Sequence, residues 1–414
     1  MTTRSLPALA LAATLGLTAS LAGAAHGNHG AADASRVPAC LDAGALPSPH
    51  CGRVPTPEFD RAGTLWVVFA QQGHVYLARS ADRGAHFDPP RAVNPTPERL
   101  YTDGENRPKI ALGHDGEIYL SWTRKIDGRY AGEVRFARSL DGGASFSPPI
   151  TVNDDRSPIS HRFDALIVDA AGRITVAWID KRDQAAARQE YAGAAIYTAV
   201  STDRGASFAP NRKLADHSCE CCRVALATDA HRPPLALWRH VYPVNVRDHA
   251  IARLDPSVAP TPTPMRATDD GWVIEGCPHH GPALSVDDHG QAHMAWFTGG
   301  GSRPGLHYGR IDPTTGARSP THRISGQAGA SRPQVHALPG GRVIVAWKAL
   351  QAQRTVLLAR RSTDGGEHWS AAQVLAATAD ASDHPQLISG GDTAWVGWHT
   401  QNEGFRLIPV EAAP

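Results

Sequence analysis

The sequence predicts an all-β propeller of seven four-stranded blades. Three observations lead there: a phrase that recurs seven times, the Gly-rich turns that flank it, and the lack of any sustained helical period. The phrase is a short run of mostly apolar residues ending in an aromatic: Val67-Val68-Phe69, Leu120-Ser121-Trp122, Val176-Ala177-Trp178, Ala236-Leu237-Trp238, Met294-Ala295-Trp296, Val345-Ala346-Trp347 and Val396-Gly397-Trp398. Successive aromatics stand 53, 56, 60, 58, 51 and 51 residues apart, a regularity that a β-sandwich does not produce.

Each unit reads the same way. A short strand such as Pro108-Lys109-Ile110-Ala111-Leu112 leads into a turn such as His114-Asp115-Gly116, and the aromatic phrase follows as a second strand. A third strand comes next, as in Val134-Arg135-Phe136-Ala137-Arg138, then a turn and a fourth. The last unit runs out at Pro414 after three strands, so the segment from Arg36 to Leu46 is expected to supply the closing strand. A six-bladed ring decorated by one extra unit is the alternative.

Ahead of the propeller, expected over residues 54–414, lie two further segments. Residues 1–24 carry one early charge, Arg4, then an apolar run from Leu6 to Leu21 and the small residues Ala22-Gly23-Ala24, the pattern of a cleaved secretory signal. Residues 25–53 form an N-terminal segment in which Cys40 and Cys51 are placed to form a disulfide. No other apolar stretch approaches 18 residues, so the mature chain is expected in the periplasm or outside the cell, with no membrane span. The 414 residues are 42% hydrophobic and 20% charged with a net charge of +1. That balance supports a large core and argues against nucleic acid or an anionic membrane as partner.

Four of the turns between third and fourth strands share one motif, Ser-x-Asp-x-Gly-x-x-aromatic. They begin at Ser80, Ser139, Ser201 and Ser362 and end at Phe87, Phe146, Phe208 and Trp369. The Asp can accept backbone N–H bonds across the turn, and Gly supplies a left-handed backbone position. The motif resembles the Asp box, or BNR repeat, of the sialidase superfamily. The resemblance implies a sialidase-like propeller with these turns on the face away from the ligand site; it speaks to fold and not to activity.

Ligands of propellers gather where the innermost strands begin. Those positions read Thr56-Pro57, Arg107-Pro108, Arg162-Phe163, Arg223-Val224, Gly281-Pro282, Arg332-Pro333 and His384-Pro385. Arg107, Arg162, Arg223 and Arg332, with His384, are therefore candidates to hold a small anionic ligand or acidic glycan through fixed guanidinium forks. The set resembles the arginine cluster that grips the carboxylate in sialidases, although Asn106-Arg107-Pro108 matches the family's Phe-Arg-Ile-Pro signature only at the arginine. Repetition alone also places arginines at equivalent positions, where they bond neighbouring loops. For hydrolysis, Asp127 stands where the resemblance puts the acid/base, and Tyr242, Tyr308 and Glu275 are the available phenols and carboxylate, with no spacing that pairs them.

Two segments depart from the repeat. Cys219-Glu220-Cys221-Cys222-Arg223 leads into the fourth unit and Glu275-Gly276-Cys277-Pro278-His279-His280 into the fifth, the two units whose Asp boxes have decayed to Leu254-Asp255-Pro256 and Ile311-Asp312-Pro313. Thiolates and imidazoles in such company suit copper or zinc, with Cys219, Cys221, Cys222 and Cys277 as sulfur ligands and His279 or His280 as nitrogen ligand. The competing expectation is structural disulfides, for instance between Cys277 and the other loop. The sequence thus points first to an exported propeller binding an anionic ligand, a soft metal, or both. An exo-sialidase-type glycoside hydrolase and an envelope protein-interaction scaffold are the alternatives.

Overall fold

Seven antiparallel sheets account for nearly all of the regular structure. The structure, a computed structural model, describes Cys40 and residues 46–188, 191–229, 231–258 and 263–410. Blades 1 to 7 span residues 53–92, 109–151, 161–218, 225–266, 283–325, 331–378 and 386–410. The first six have four strands and the seventh has three among the described residues. The six-bladed alternative is therefore set aside. The expected closing strand from Arg36 to Leu46 falls almost wholly outside the described residues, as does the expected signal segment 1–24.

The ring closes by packing. The innermost strand of each blade contacts that of the next, and Arg53–Phe59 of blade 1 contacts Gln386–Gly390 of blade 7. Leu65, Val67, Ile388 and Phe405 form the apolar seam between those two blades. Each further seam has its own cluster, such as Phe136, Tyr119, Trp178 and Tyr197 between blades 2 and 3. The aromatics that end the recurring phrase are all buried, the six tryptophans within these seams. This explains the repeat: alternate residues of a strand point to opposite faces, and each face must meet a neighbouring blade. The Cys40–Cys51 disulfide forms as expected, with 5.1 Å between the α-carbons.

The four Asp boxes share one bonding scheme. In each, the Ser hydroxyl donates to Asp Oδ1, as Ser139 does to Asp141 at 2.7 Å, and accepts the box Gly N–H, as from Gly143 at 2.8 Å. The same contacts recur at Ser80, Ser201 and Ser362. Hydrogen bonds led by the Ser145 hydroxyl hold the Asp141 carboxyl down to about 2. The box aromatic then packs on the preceding blade: Phe208 meets Phe136 edge-on at 4.9 Å and Trp369 meets Tyr308 at 4.7 Å. In blades 4 and 5 only the turn-forming Asp survives, Asp255 accepting from Ser257 N–H and Asp312 from Thr314 N–H.

Four antiparallel strands place these boxes and the turns between first and second strands on one face. The loops between blades and those between second and third strands lie on the other. The Arg, Cys and His candidates belong to that second face, the mouth, and of the phenols Tyr308 does not. No helix among the described residues is long and apolar enough to cross a membrane.

Candidate functional site at the channel mouth

The arginines converge, but on a carboxylate of the chain itself. Glu105, 3% exposed, sits in the loop that opens blade 2. Its Oε1 lies 3.0 Å from Arg332 Nη1, 3.4 Å from Arg223 Nη1 and 3.5 Å from His384 Nδ1, and its Oε2 accepts the Arg223 backbone N–H at 3.0 Å. Blades 2, 4, 6 and 7 therefore meet at one buried side chain. Asp103 fixes it there, accepting the N–H of both Glu105 and Asn106 at 3.1 and 3.0 Å. Gly104 is required by the approach of His384, whose Nδ1 lies 2.3 Å from where a Cβ would stand.

Arg107 is paired elsewhere, with Asp383 of blade 7, and also reaches the Pro55 carbonyl at 3.3 Å. Arg162 leaves the group altogether. A bulge in the first strand of blade 3, with Phe163 at φ 59, turns the Arg162 guanidinium onto the rings of Tyr101 and Phe163 at 4.5 and 4.7 Å. The expected clamp thus divides into Arg223, Arg332 and His384 around Glu105, the Arg107–Asp383 pair, and Arg162 in an aromatic cage. Lys348 adds a further cation beside Asp383, its ammonium bonded to the Ser382 carbonyl at 2.9 Å, and burial lowers it to about 8. Three carboxylates, Asp103, Glu105 and Asp383, lie among Arg107, Arg223, Arg332 and Lys348, which leaves this group one positive charge in excess.

Sequence reasoning missed Glu105. The only signal available was an acidic residue two positions ahead of a blade-opening arginine, inside the turn Asp103-Gly104.

The cysteine loop is compact. Cys219, Cys221 and Cys222 are all buried, and their sulfurs lie within 4.8 Å of one another. The Cys219 sulfur is 3.0 Å from that of Cys222 and 3.8 Å from that of Cys221. They sit in the apolar seam between blades 3 and 4, among Phe163, Ile179 and Trp238. Hydrogen bonds from Cys221 and then Cys222 draw the Cys219 thiol well below its ordinary range, while burial pushes Cys222 up.

The second loop does not join this group. Cys277 is free and exposed, so neither the Cys277 disulfide nor a place for Cys277 among the three gathered sulfurs is realised. His279 is exposed on a left-handed backbone position, φ 51. The His280 ring lies flat on Phe297 with centroids 4.2 Å apart. Adjacent blades bring the two loops to the same face, but the Pro278 segment carries its thiol outward to solvent.

The hydrolytic set is not assembled. The Asp127 side chain is 98% exposed and paired with Arg99 at 2.6 Å, the opposite of the dry setting that raises a general acid. Tyr308 is fully buried on the Asp-box side, where its hydroxyl meets His293 Nδ1 at 2.7 Å. Tyr242 bonds weakly to the His249 carbonyl at 3.5 Å, and Glu275 accepts from Asn245 at 2.7 Å. Neither phenol is bonded to a carboxylate among the described residues.

Compared with known proteins, the sequence matches no family model and no curated protein. Among solved structures it is similar to a PL25 ulvan lyase bound to a saccharide, with a TM-score of 0.57 and 13% identity over 87% of this chain and 94% of that one. It is also similar to the polysaccharide lyase Uly1, with a TM-score of 0.53 and 8% identity over 87% of this chain and 90% of that one. The NanB sialidase of Streptococcus pneumoniae aligns at a TM-score of 0.45 and 9% identity over 84% of this chain and 83% of that one. At these identities the likeness concerns fold alone. The propeller implied by the resemblance to the sialidase superfamily is the architecture observed.

Proposed function

We propose that this chain is an exported binding propeller whose mouth holds one soft metal ion, copper or zinc, through Cys219, Cys221 and Cys222. The observation that carries the reading is the gathering of three buried sulfurs within 4.8 Å in a loop that departs from the repeat. Three thiols this close are placed to share one soft cation once deprotonated. The apolar seam around them supports a closed site rather than a catalytic one open to solvent. Neighbouring cations, with Arg223 directly following Cys222, favour the deprotonated sulfurs that a metal needs.

An anionic ligand belongs to the same face in this reading, drawn by the excess of positive charge at the mouth. The saccharide in the ulvan lyase structure makes an acidic glycan the first class to try. Its carboxylate would compete with Glu105 for Arg223 and Arg332.

The deciding measurement is metal content by mass spectrometry together with a free-thiol count, on full-length protein recovered from the compartment to which it is exported. The expected result is close to one equivalent of copper or zinc, lost in Cys221→Ser and Cys222→Ser and kept in Cys277→Ser. Absence of metal together with absence of free thiols at 219, 221 and 222 overturns the proposal and makes these cysteines structural.

A further inference from the structure

Of the four blade-opening arginines, Arg162 is the one that the chain leaves without an anion. Arg107 has Asp383, and Arg223 and Arg332 share Glu105. Arg162 is 9% exposed and its Nε is buried with no partner; among the described residues its guanidinium neither donates a hydrogen bond nor meets a carboxylate. Three rings surround it instead, Tyr101 at 4.5 Å, Phe163 at 4.7 Å and Tyr130 at 5.4 Å. The carboxylates of this region are committed elsewhere. Asp155 faces His161 Nε2 at 3.4 Å, Asp164 accepts from the Ser121 and Thr123 hydroxyls at 2.6 and 2.9 Å, and Glu133 pairs with Arg124 at 2.5 Å. Aromatic faces hold a cation in place but do not replace the oxygen acceptors that a guanidinium fork is shaped to meet. A nearly buried fork with unmet donors is unfavourable until an acceptor arrives.

Tyr130 joins this cage to a cleft. Its ring is 59% exposed, on a left-handed backbone position, φ 57, that a bulky residue rarely adopts. It lines a cavity of about 410 Å³ on the mouth face between blades 2 and 3, together with Arg129, Ser160, Lys181 and Gln184. Glu220 is also in the wall, its carboxylate held by Lys181 and by Gln184, the latter at 3.1 Å. An exposed aromatic face beside hydroxyl, amide and cationic groups suits a sugar, whose C–H face packs on the ring while its hydroxyls meet the polar groups. The guanidinium fork next to that ring matches a planar carboxylate.

Resting on the anionic-ligand part of the reading above and not on the metal, we infer that the ligand is an oligosaccharide carrying a uronic acid, with its carboxylate on Arg162 and a sugar ring packed on Tyr130. The seat is the cleft between blades 2 and 3, and a ligand placed there leaves Glu105 in its clamp.

The test titrates the full chain calorimetrically with a galacturonate trisaccharide, with its methyl ester, and with a sulfated neutral trisaccharide. The parent is expected to bind the acid about thirtyfold more tightly than the ester. Arg162→Gln is expected to bring the acid down to the level of the ester, and Arg162→Lys, which keeps the charge but not the fork, to leave it between the two. Tyr130→Ala is expected to weaken acid and ester alike, by about tenfold. Circular dichroism checks that each variant is folded; if Arg162→Gln is not, Arg162→Lys and Tyr130→Ala carry the test. The sulfated sugar binding as tightly as the acid overturns the carboxylate assignment. Acid binding that survives Arg162→Gln overturns the inference and leaves the anionic-ligand reading standing; tighter binding in Glu105→Gln then places the ligand on Arg223 and Arg332. If none of the three sugars binds the folded parent, the anionic-ligand reading falls with it.

Discussion

Glu105 occupies the position that an external carboxylate would take in an arginine clamp, and the chain supplies that carboxylate from its own loop. Two guanidinium groups and an imidazole share it, so its removal leaves buried cations facing one another. Breaking a buried ion pair by deleting one partner costs about 3–5 kcal/mol, and Glu105→Ala is expected to lose stability of that order in urea denaturation. Because the loss arises from unpaired arginines, acetate or formate at tens of millimolar is expected to restore much of it, where chloride does not. Equal effects of acetate and chloride would mean that the cavity, not the charge, is the cause. Glu105 was illegible in the sequence for a physical reason. Its partners Arg223 and Arg332 lie 118 and 227 residues away, and nothing periodic marks a contact made across the channel axis.

At the scale of strands and turns the sequence was far more legible, because each blade repeats one local solution. The aromatic phrase, the turns and the four Asp boxes are short-range patterns whose partners lie a few residues off or one blade away. Gly205 illustrates both distances. Its φ of 77 is a left-handed position, and a Cβ there would come within 2.8 Å of the Phe136 ring in the preceding blade. Gly116, at φ 86, has nothing within 4 Å of its would-be Cβ. Gly116→Ala is therefore expected to lose only the backbone strain, about 1–2 kcal/mol, and Gly205→Ala that strain plus overlap, about 3–4 kcal/mol. Thermal denaturation of the two variants side by side measures the difference; similar losses would show that the box glycine is chosen for its backbone alone. The loops between blades were read less well. Cys219 to Cys222 came out as a group because three thiols lie within four residues. Cys277 did not join them, since sharing a face with an adjacent loop does not fix where a side chain points.

The closed ring buries titratable groups from every blade, and the sum of their shifts sets how the whole molecule responds to acid. Burial lowers His336, bonded to Ser389 at 2.9 Å, to about 4 and His240 to about 4, and drives His249 and His384 well below the usual imidazole range. Each of these takes up its proton in the unfolded chain near pH 6.5 but not in the folded one, so stability falls as pH drops from 6.5 towards 4. Two carboxyls act in the opposite sense. Burial raises Glu58 to about 7 and Asp270 to about 6, so the folded state gains from their protonation over part of the same range. Burial likewise lowers His50, His280, His293, His307 and His399, so nine histidines stand against two carboxyls and leave a net loss, and below pH 4 the Asp boxes add to it. Asp82 and Asp141, held at about 2 by their turn hydrogen bonds, give up their contribution as pH falls through 2. The ring is therefore expected to be most stable near neutral pH. His336→Gln, which keeps a donor for Ser389 but cannot take up a proton, isolates one share of the effect. It is expected to shrink the stability difference between pH 7 and pH 4.5 by roughly 2–3 kcal/mol in urea titrations. A variant that tracks the parent at both pH values would place the acid sensitivity elsewhere in the ring, with His240, His249 and His384 the next to carry it.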